Sequence, residues 1–302
     1  MTRLFHAYVM IDWSAAQAPK QGKDSVWIGV IKRDIRFRPS FEAFNPATRT
    51  EAELKLRDIL ADLRRRGEKV LIGFDFNLGY PAGTAAALGL KSPNWEGLWG
   101  FLAANVVDKK DNTNNRFGVA AKMNRLMTDA AYPFWGCPAK DTQTWLSPTK
   151  PAETDSGPTA QFRATEIATH KGGKAQAKSA WQLMGAGSVG GQVIMGIPAA
   201  QRLRAELGDA CAVWPFSTGW KALTPEDLEG KDALLVEVYP SLMSVKPEAG
   251  ETPDRAQVRS LCEHFAKLDE AGKLAAVFAP PKDATEALIA QVEAEEGWIL
   301  GV

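Results

Sequence analysis

Between Ala7 and Phe76 the chain alternates apolar runs with short polar connections, and this order restricts the fold more than any other feature. AYVMIDW (Ala7–Trp13), SVWIGVIKR (Ser25–Arg33) and IRFRPSFEAF (Ile35–Phe44) are rich in β-branched and aromatic residues, which predicts three strands joined as an antiparallel start. Thr50 and Glu53 then form a capping-box pattern. Leu54, Leu56, Ile59, Leu60 and Leu63 follow at helical spacing until Gly67 stops the helix. The run Lys69–Phe76 reads as a further strand, so the helix becomes a crossover that sets this strand parallel beside the first.

The stretch 81–230 differs in character. It is rich in Gly, Pro, Ser and Thr, holds seven of the ten Trp residues, and carries helical patches such as Val119–Ala131. It reads as an insertion or cap, mostly helical. A strand returns with ALLVEVY (Ala233–Tyr239), followed by a helix over Asp254–Ala271 and a last one from Asp283 to about Glu295. The expected architecture is one α/β domain over 1–302: a mixed sheet with core 1–80 and 231–302, flanked by helices, with 81–230 inserted.

At 302 residues with 45% hydrophobic content the chain has ample material for such a core. Lys plus Arg equals Asp plus Glu at 36 each, so no global field selects nucleic acid or a membrane surface, and any such preference must be local. Cys137, Cys211 and Cys262 stand far apart without a CxxC pair, which argues against a disulfide framework or zinc site and fits a reducing cytoplasm. His6 and Asp12 break up the apolar N-terminal segment, unlike a signal peptide. No run approaches the ~20 apolar residues of a membrane span.

Three acids stand where burial is expected. Asp12 closes AYVMI, Asp75 closes VLIGF and Glu237 follows ALLV. An ionised carboxylate in a dry interior must be paired, hydrogen-bonded or bound to a metal. A divalent cation holds neighbouring carboxylates ionised, and oxygen-only ligands suit Mg²⁺ or Mn²⁺. Such ions serve in-line displacement at a phosphodiester. The competing reading is structural: each acid separately caps a turn or pairs with an Arg. In KDATEAL, Asp283 and Glu286 lie three apart on one helix face and offer a fourth carboxylate. The same letters, after Pro280 and Pro281, also read as an N-cap with its capping-box partner.

These residues resemble a family. The order strand, strand, strand, helix, strand with Asp12, Asp75 and Glu237 resembles the ribonuclease H-like fold, and more narrowly the DUF429 group of predicted nucleases. Asp12 in MIDWS matches the first-strand Asp of that group. DFNLGYP (Asp75–Pro81) matches its D-x-x-x-G-x-P motif, EVYP (Glu237–Pro240) its E-V-x-P strand, and DATEAL (Asp283–Leu288) its terminal helix. SVGGQ (Ser188–Gln192) resembles a short S-x-Q segment of the group. The loop after Asp12 is longer than in the family and lacks its glycine-rich turn. The resemblance implies a metal-dependent nuclease or phosphodiesterase with Mg²⁺ or Mn²⁺ on Asp12, Asp75 and Glu237, completed by Asp283 or Glu286, acting on nucleic acid or a small phosphodiester. Two other readings stay open: a non-catalytic binding protein with a degenerate acidic site, and an ATP-dependent phosphotransferase of the actin-like kind. The second needs a repeat of the core, and the sequence shows none.

Arg163, Lys171, Lys174 and Lys178, interleaved with His170 and Trp181, form a basic segment suited to a phosphate backbone or simply to a solvated face. GAGSVG (Gly185–Gly190) satisfies G-x-G-x-x-G, but KSAWQLM before it is not strand-like and Pro198 interrupts the sequel, so it reads as a flexible turn in the cap. Asp108, Asp111, Asn112 and Asn114 are spaced a little like a calcium loop but lack its closing Gly and Glu.

Overall fold

The computed structural model, which describes residues 3–33, 38–171 and 176–302, begins with the expected antiparallel start. β1 (Ala7–Asp12), β2 (Trp27–Arg33) and β3 (Pro39–Phe44) pair in sequence, with Tyr8 opposite Ile31 and Asp12 opposite Trp27. Residues 34–37, which include the start expected for the third strand, lie outside the described residues. Helix α1 (Arg49–Arg65) crosses over to β4 (Val70–Phe74), parallel to β1 on its free side. The cap of α1 sits two residues earlier than the spacing suggested. Thr48 accepts from the Glu51 amide at 3.2 Å, and Glu51 accepts in return from the Ala47 amide at 2.9 Å. The same box chemistry operates through the preceding Thr and Glu.

The inserted stretch supplies α2 (Thr84–Ala87), α3 (Trp95–Asn105), α4 (Arg116–Thr128), α5 (Ala164–Lys171) and α6 (Gly190–Leu207). It also supplies an edge strand, β5 (Cys211–Val213), which lies parallel beside β6 (Ala233–Glu237). The sheet order is β3-β2-β1-β4-β6-β5. Pro198 does not end α6, which runs through it; the helix is buried along most of its length, and that packing offsets the backbone bond Pro cannot donate. Trp95, Trp99, Trp181, Trp214 and Trp220 are buried, so most of the tryptophan of this stretch is core.

Helices cover both faces of the central strands, which is why β1, β4 and β6 read as near-continuous apolar runs. Val9, Ile11, Ile72, Phe74 and Leu235 face a cluster containing Leu56, Leu60 and Leu63 of α1 and Val193 and Ile197 of α6. Tyr8, Met10, Leu71, Leu234 and Val236 face the other, which contains Val258, Leu261, Cys262 and Phe265 of α7 (Pro253–Glu270). The chain then passes through α8 (Leu274–Val277) and α9 (Glu286–Gln291), continued by a π turn over Val292–Glu296. Among the described residues no helix is long and apolar enough to cross a membrane.

Candidate functional site

Side chains alternate across a strand, so the residue after Ile11 and the residue after Phe74 both turn to the α7 face. The ladder between β1 and β4 continues that far, the Asp75 amide donating to the Ile11 carbonyl at 2.9 Å. Gly73, two residues before Asp75, faces Met10 and Val238 on the same side. Asp12 and Asp75 therefore emerge side by side at one edge of the sheet. Asp12 is 9% exposed, and among the described residues no hydrogen bond or ion pair reaches either carboxylate. Burial, then the charges of Asp75, Asp254 and Asp24, hold the Asp12 carboxyl well above the usual range. Burial, with Glu237 and Asp254, pushes Asp75 up to about 7.

The further carboxylate at this edge is Asp254, in the first turn of α7 after its N-cap Thr252. One oxygen of Asp254 accepts from the Asp24 amide at 2.6 Å, and burial raises its carboxyl too. The sequence-predicted candidates for this role lie elsewhere. Asp283 and Glu286 are exposed and line neither cavity at the sheet edge. The N-cap of α9 is Thr285, which accepts from the Leu288 amide. The carboxylates of this last segment that turn inward are Glu295 and Glu296. Glu295 accepts from the amides of Gly83 and Ala85, and Glu296 from those of Ala82 and Ala164. They cap backbone at the starts of α2 and α5, a role that a pair of adjacent acids near a chain end gives no sign of in sequence.

Glu237 lies in a different setting. In the parallel pairing it aligns with Phe74, one residue short of Asp75, so alternation turns it toward the opposite face. There Arg163 holds it through Nη1 at 2.8 Å and Nη2 at 2.5 Å, and the Leu78 amide donates to it at 2.9 Å. Arg163 also binds Glu166, which in turn accepts from Asn77 Nδ2. Arg163 is fully buried, so its expected place among exposed phosphate contacts is corrected: its donors are committed to two glutamates and the Glu296 carbonyl. Burial raises the Glu237 carboxyl, and Arg163 works against that rise.

DFNLGYP gains a physical account from these contacts. Asp75 reaches the acidic edge, Asn77 and the Leu78 amide hold Glu166 and Glu237, and Gly79 passes so close to the C-terminal segment that a Cβ would overlap the carbonyl oxygens of Glu295 and Glu296. Lys171 is exposed and away from the cavities, Lys178 lines the smaller one, and Lys174 lies outside the described residues. The spacing at Asp108–Asn114 serves a buried arginine. Arg49 binds Asp108 with two donors at 2.6 Å each and holds the carbonyls of Ser14 and Ala16, fixing the segment after Asp12.

Two cavities meet at Asp75. The larger, about 680 Å³, is lined by Asp12, Asp75, Asp254 and Arg116; the smaller, about 250 Å³, by Asp75, Glu237, Lys178 and Tyr239. Ser188 and Gln192 form part of both walls, and Gln192 donates to the Trp13 carbonyl at 2.7 Å. The SVGGQ segment thus opens α6 directly over the acids. Its entry is tight: a Cβ on Gly190 would overlap the Ala180 carbonyl.

Among the described residues no group of three or more His, Cys, Asp or Glu side chains is placed to hold a metal ion. Asp12 and Asp75 are nevertheless oxygen donors of the kind a hard divalent cation takes, and neither forms an ion pair among the described residues. The chain is an α/β protein with a six-stranded mixed sheet and an acidic edge. Comparison with family models, curated proteins and solved structures gave no match to it.

Proposed function

We propose that the protein is a metal-dependent phosphodiesterase of ribonuclease H-like type. The observation that carries this reading is the pair Asp12 and Asp75: two carboxylates without partners among the described residues, at the ends of adjacent parallel strands, lining one cavity. The element order strand, strand, strand, helix, strand, on which the resemblance rests, supports the reading. Asp12 and Asp75 would hold Mg²⁺ or Mn²⁺, with Asp254 beside them on the same cavity wall. When bound, such an ion offsets the carboxylate charge and polarises a phosphoryl oxygen. The protein's own share is to hold the acids at one edge: the Ile11–Asp75 ladder aligns two of them, and the first turn of α7 carries the third. Glu237, bound by Arg163, keeps DFNLGYP in place and adds negative charge beside Asp75.

Calorimetric titration of the metal-free protein with Mn²⁺, wild type beside Asp75→Asn, tests the reading. Binding to wild type that the variant loses supports it and justifies a screen of phosphodiester substrates. Equal binding by both removes Asp75 from the metal site, and no binding by either counts against the metal-dependent reading.

A further inference from the structure

The wall of the larger cavity also holds a cation that forms no ion pair among the described residues. Arg116, the first residue of α4, lines the cavity together with Asp12, Asp75 and Asp254. A guanidinium has five N–H donors in a fixed fork. One nitrogen, Nη1, donates to Asn114 Oδ1 at 3.0 Å, and the group stacks on Phe117 at 4.2 Å from the ring centre. Buried Nε has no acceptor among the described residues. Asp141 acts on Arg116 through space without forming an ion pair, whereas burial and the charge of Arg49 destabilise the cation and bring its pKa down to about 10.

Its position makes this exposure of charge more costly. A Cβ on Gly191 would come within 3.4 Å of Arg116 Nε, so the guanidinium abuts the first turn of the 18-residue helix α6. A helix N-terminus carries positive potential of its own, and among the described residues no side chain caps this one. A buried arginine is ordinarily stabilised by a carboxylate, as Arg49 is by Asp108 and Arg163 by Glu166 and Glu237. Arg116, half-buried on the cavity wall, has no such ion pair among the described residues.

We infer that Arg116 is the substrate-binding residue of the cavity, holding the phosphate oxygens of the phosphodiester across from Asp12 and Asp75. The inference rests on the phosphodiesterase reading for its substrate. It adds what that reading lacks: an anion contact that fixes which side of the phosphate faces the acids. Planar bidentate donors match phosphate oxygens. Neither Arg163, which is spent on glutamates, nor Lys171, which lies away from the cavity, fills this role.

The test is titration of wild type and Arg116→Gln with inorganic phosphate, followed by tryptophan fluorescence, and of both proteins with Mn²⁺. The expected result is phosphate affinity at least tenfold weaker in the variant, with Mn²⁺ affinity equal to wild type or tighter. Equal phosphate affinity in the two proteins, or no response of wild type to phosphate, overturns the inference. Phosphate binding that depends on Arg116 in a protein that fails to take up Mn²⁺ would uphold this inference and sink the metal-dependent one. Should Arg116→Gln fail to fold, wild type alone decides. Phosphate should then slow modification of Arg116 by phenylglyoxal, mapped by peptide mass; an unchanged rate at that peptide overturns the inference.

Discussion

Asp12 and Asp75 leave neighbouring parallel strands side by side, tied by the bond from the Asp75 amide to the Ile11 carbonyl. Two carboxylates in this relation repel each other and lose hydration together, so the fold holds them at a cost that a bound cation offsets.

Removing one of the charges should therefore stabilise the metal-free protein. Asp75→Asn is expected to raise its unfolding free energy in urea at pH 8 by about 0.5–2 kcal/mol while abolishing Mn²⁺ binding. A variant less stable than wild type would show that Asp75 has a favourable partner.

The pH dependence has a defined sign. Asp75 rises from about 3.9 in an unfolded chain to about 7 in the fold, so between those values the native state binds more protons than the unfolded one. This group's contribution to stability is fully present at low pH, falls as pH rises through that window and levels off above 7. Mn²⁺ affinity should follow the opposite course, increasing by about tenfold per pH unit below 7 where one proton must leave. A pH-independent affinity from 5 to 8 would contradict this, and isothermal titration at four pH values measures it.

Asp254 makes a direct contrast with Asp283 and Glu286, which lie before and at the start of α9. Asp254→Asn should weaken Mn²⁺ binding by about tenfold or more. Asp283→Asn and Glu286→Gln, at exposed positions away from the cavities, should leave it within twofold. Metal titration of the three variants decides between the two helices.

Arg163 should behave as a structural residue. Arg163→Ala strands Glu166 and Glu237 as buried charges and is expected to cost about 3–5 kcal/mol in urea unfolding. Lys171→Ala, on the exposed end of α5, should stay within about 0.5 kcal/mol. An Arg163→Ala protein of wild-type stability would return Arg163 to the list of surface contacts.

Much of the sheet was legible because runs such as AYVMI and VLIGF are apolar at every position, which only strands covered on both faces require. Asp12 and Asp75 were legible for the same reason, as charges at the ends of those runs. Which face each acid takes was not, because a one-residue offset between parallel strands decides it: Glu237 aligns with Phe74 and so turns away from Asp75. Asp254 follows Thr252 and Pro253 and looks like any acid in a first helical turn. Neither Arg163 nor Arg116 is singled out by its neighbours in sequence, and only tertiary packing makes one a buried clamp and places the other on the cavity wall. The short strand β5 escaped notice since three residues, Cys211–Val213, carry too little pattern to register.

The Arg163 clamp gathers three stretches far apart in the chain: Glu166 at the start of α5, Glu237 at the end of β6, and the carbonyl of Glu296 beyond α9. During synthesis the first partner emerges more than a hundred residues before the last. Until the ribosome has released the segment around Glu296, the guanidinium lacks one acceptor and Gly79 has nothing to pack against. The Arg163 clamp is thus completed only when the segment around Glu296 docks.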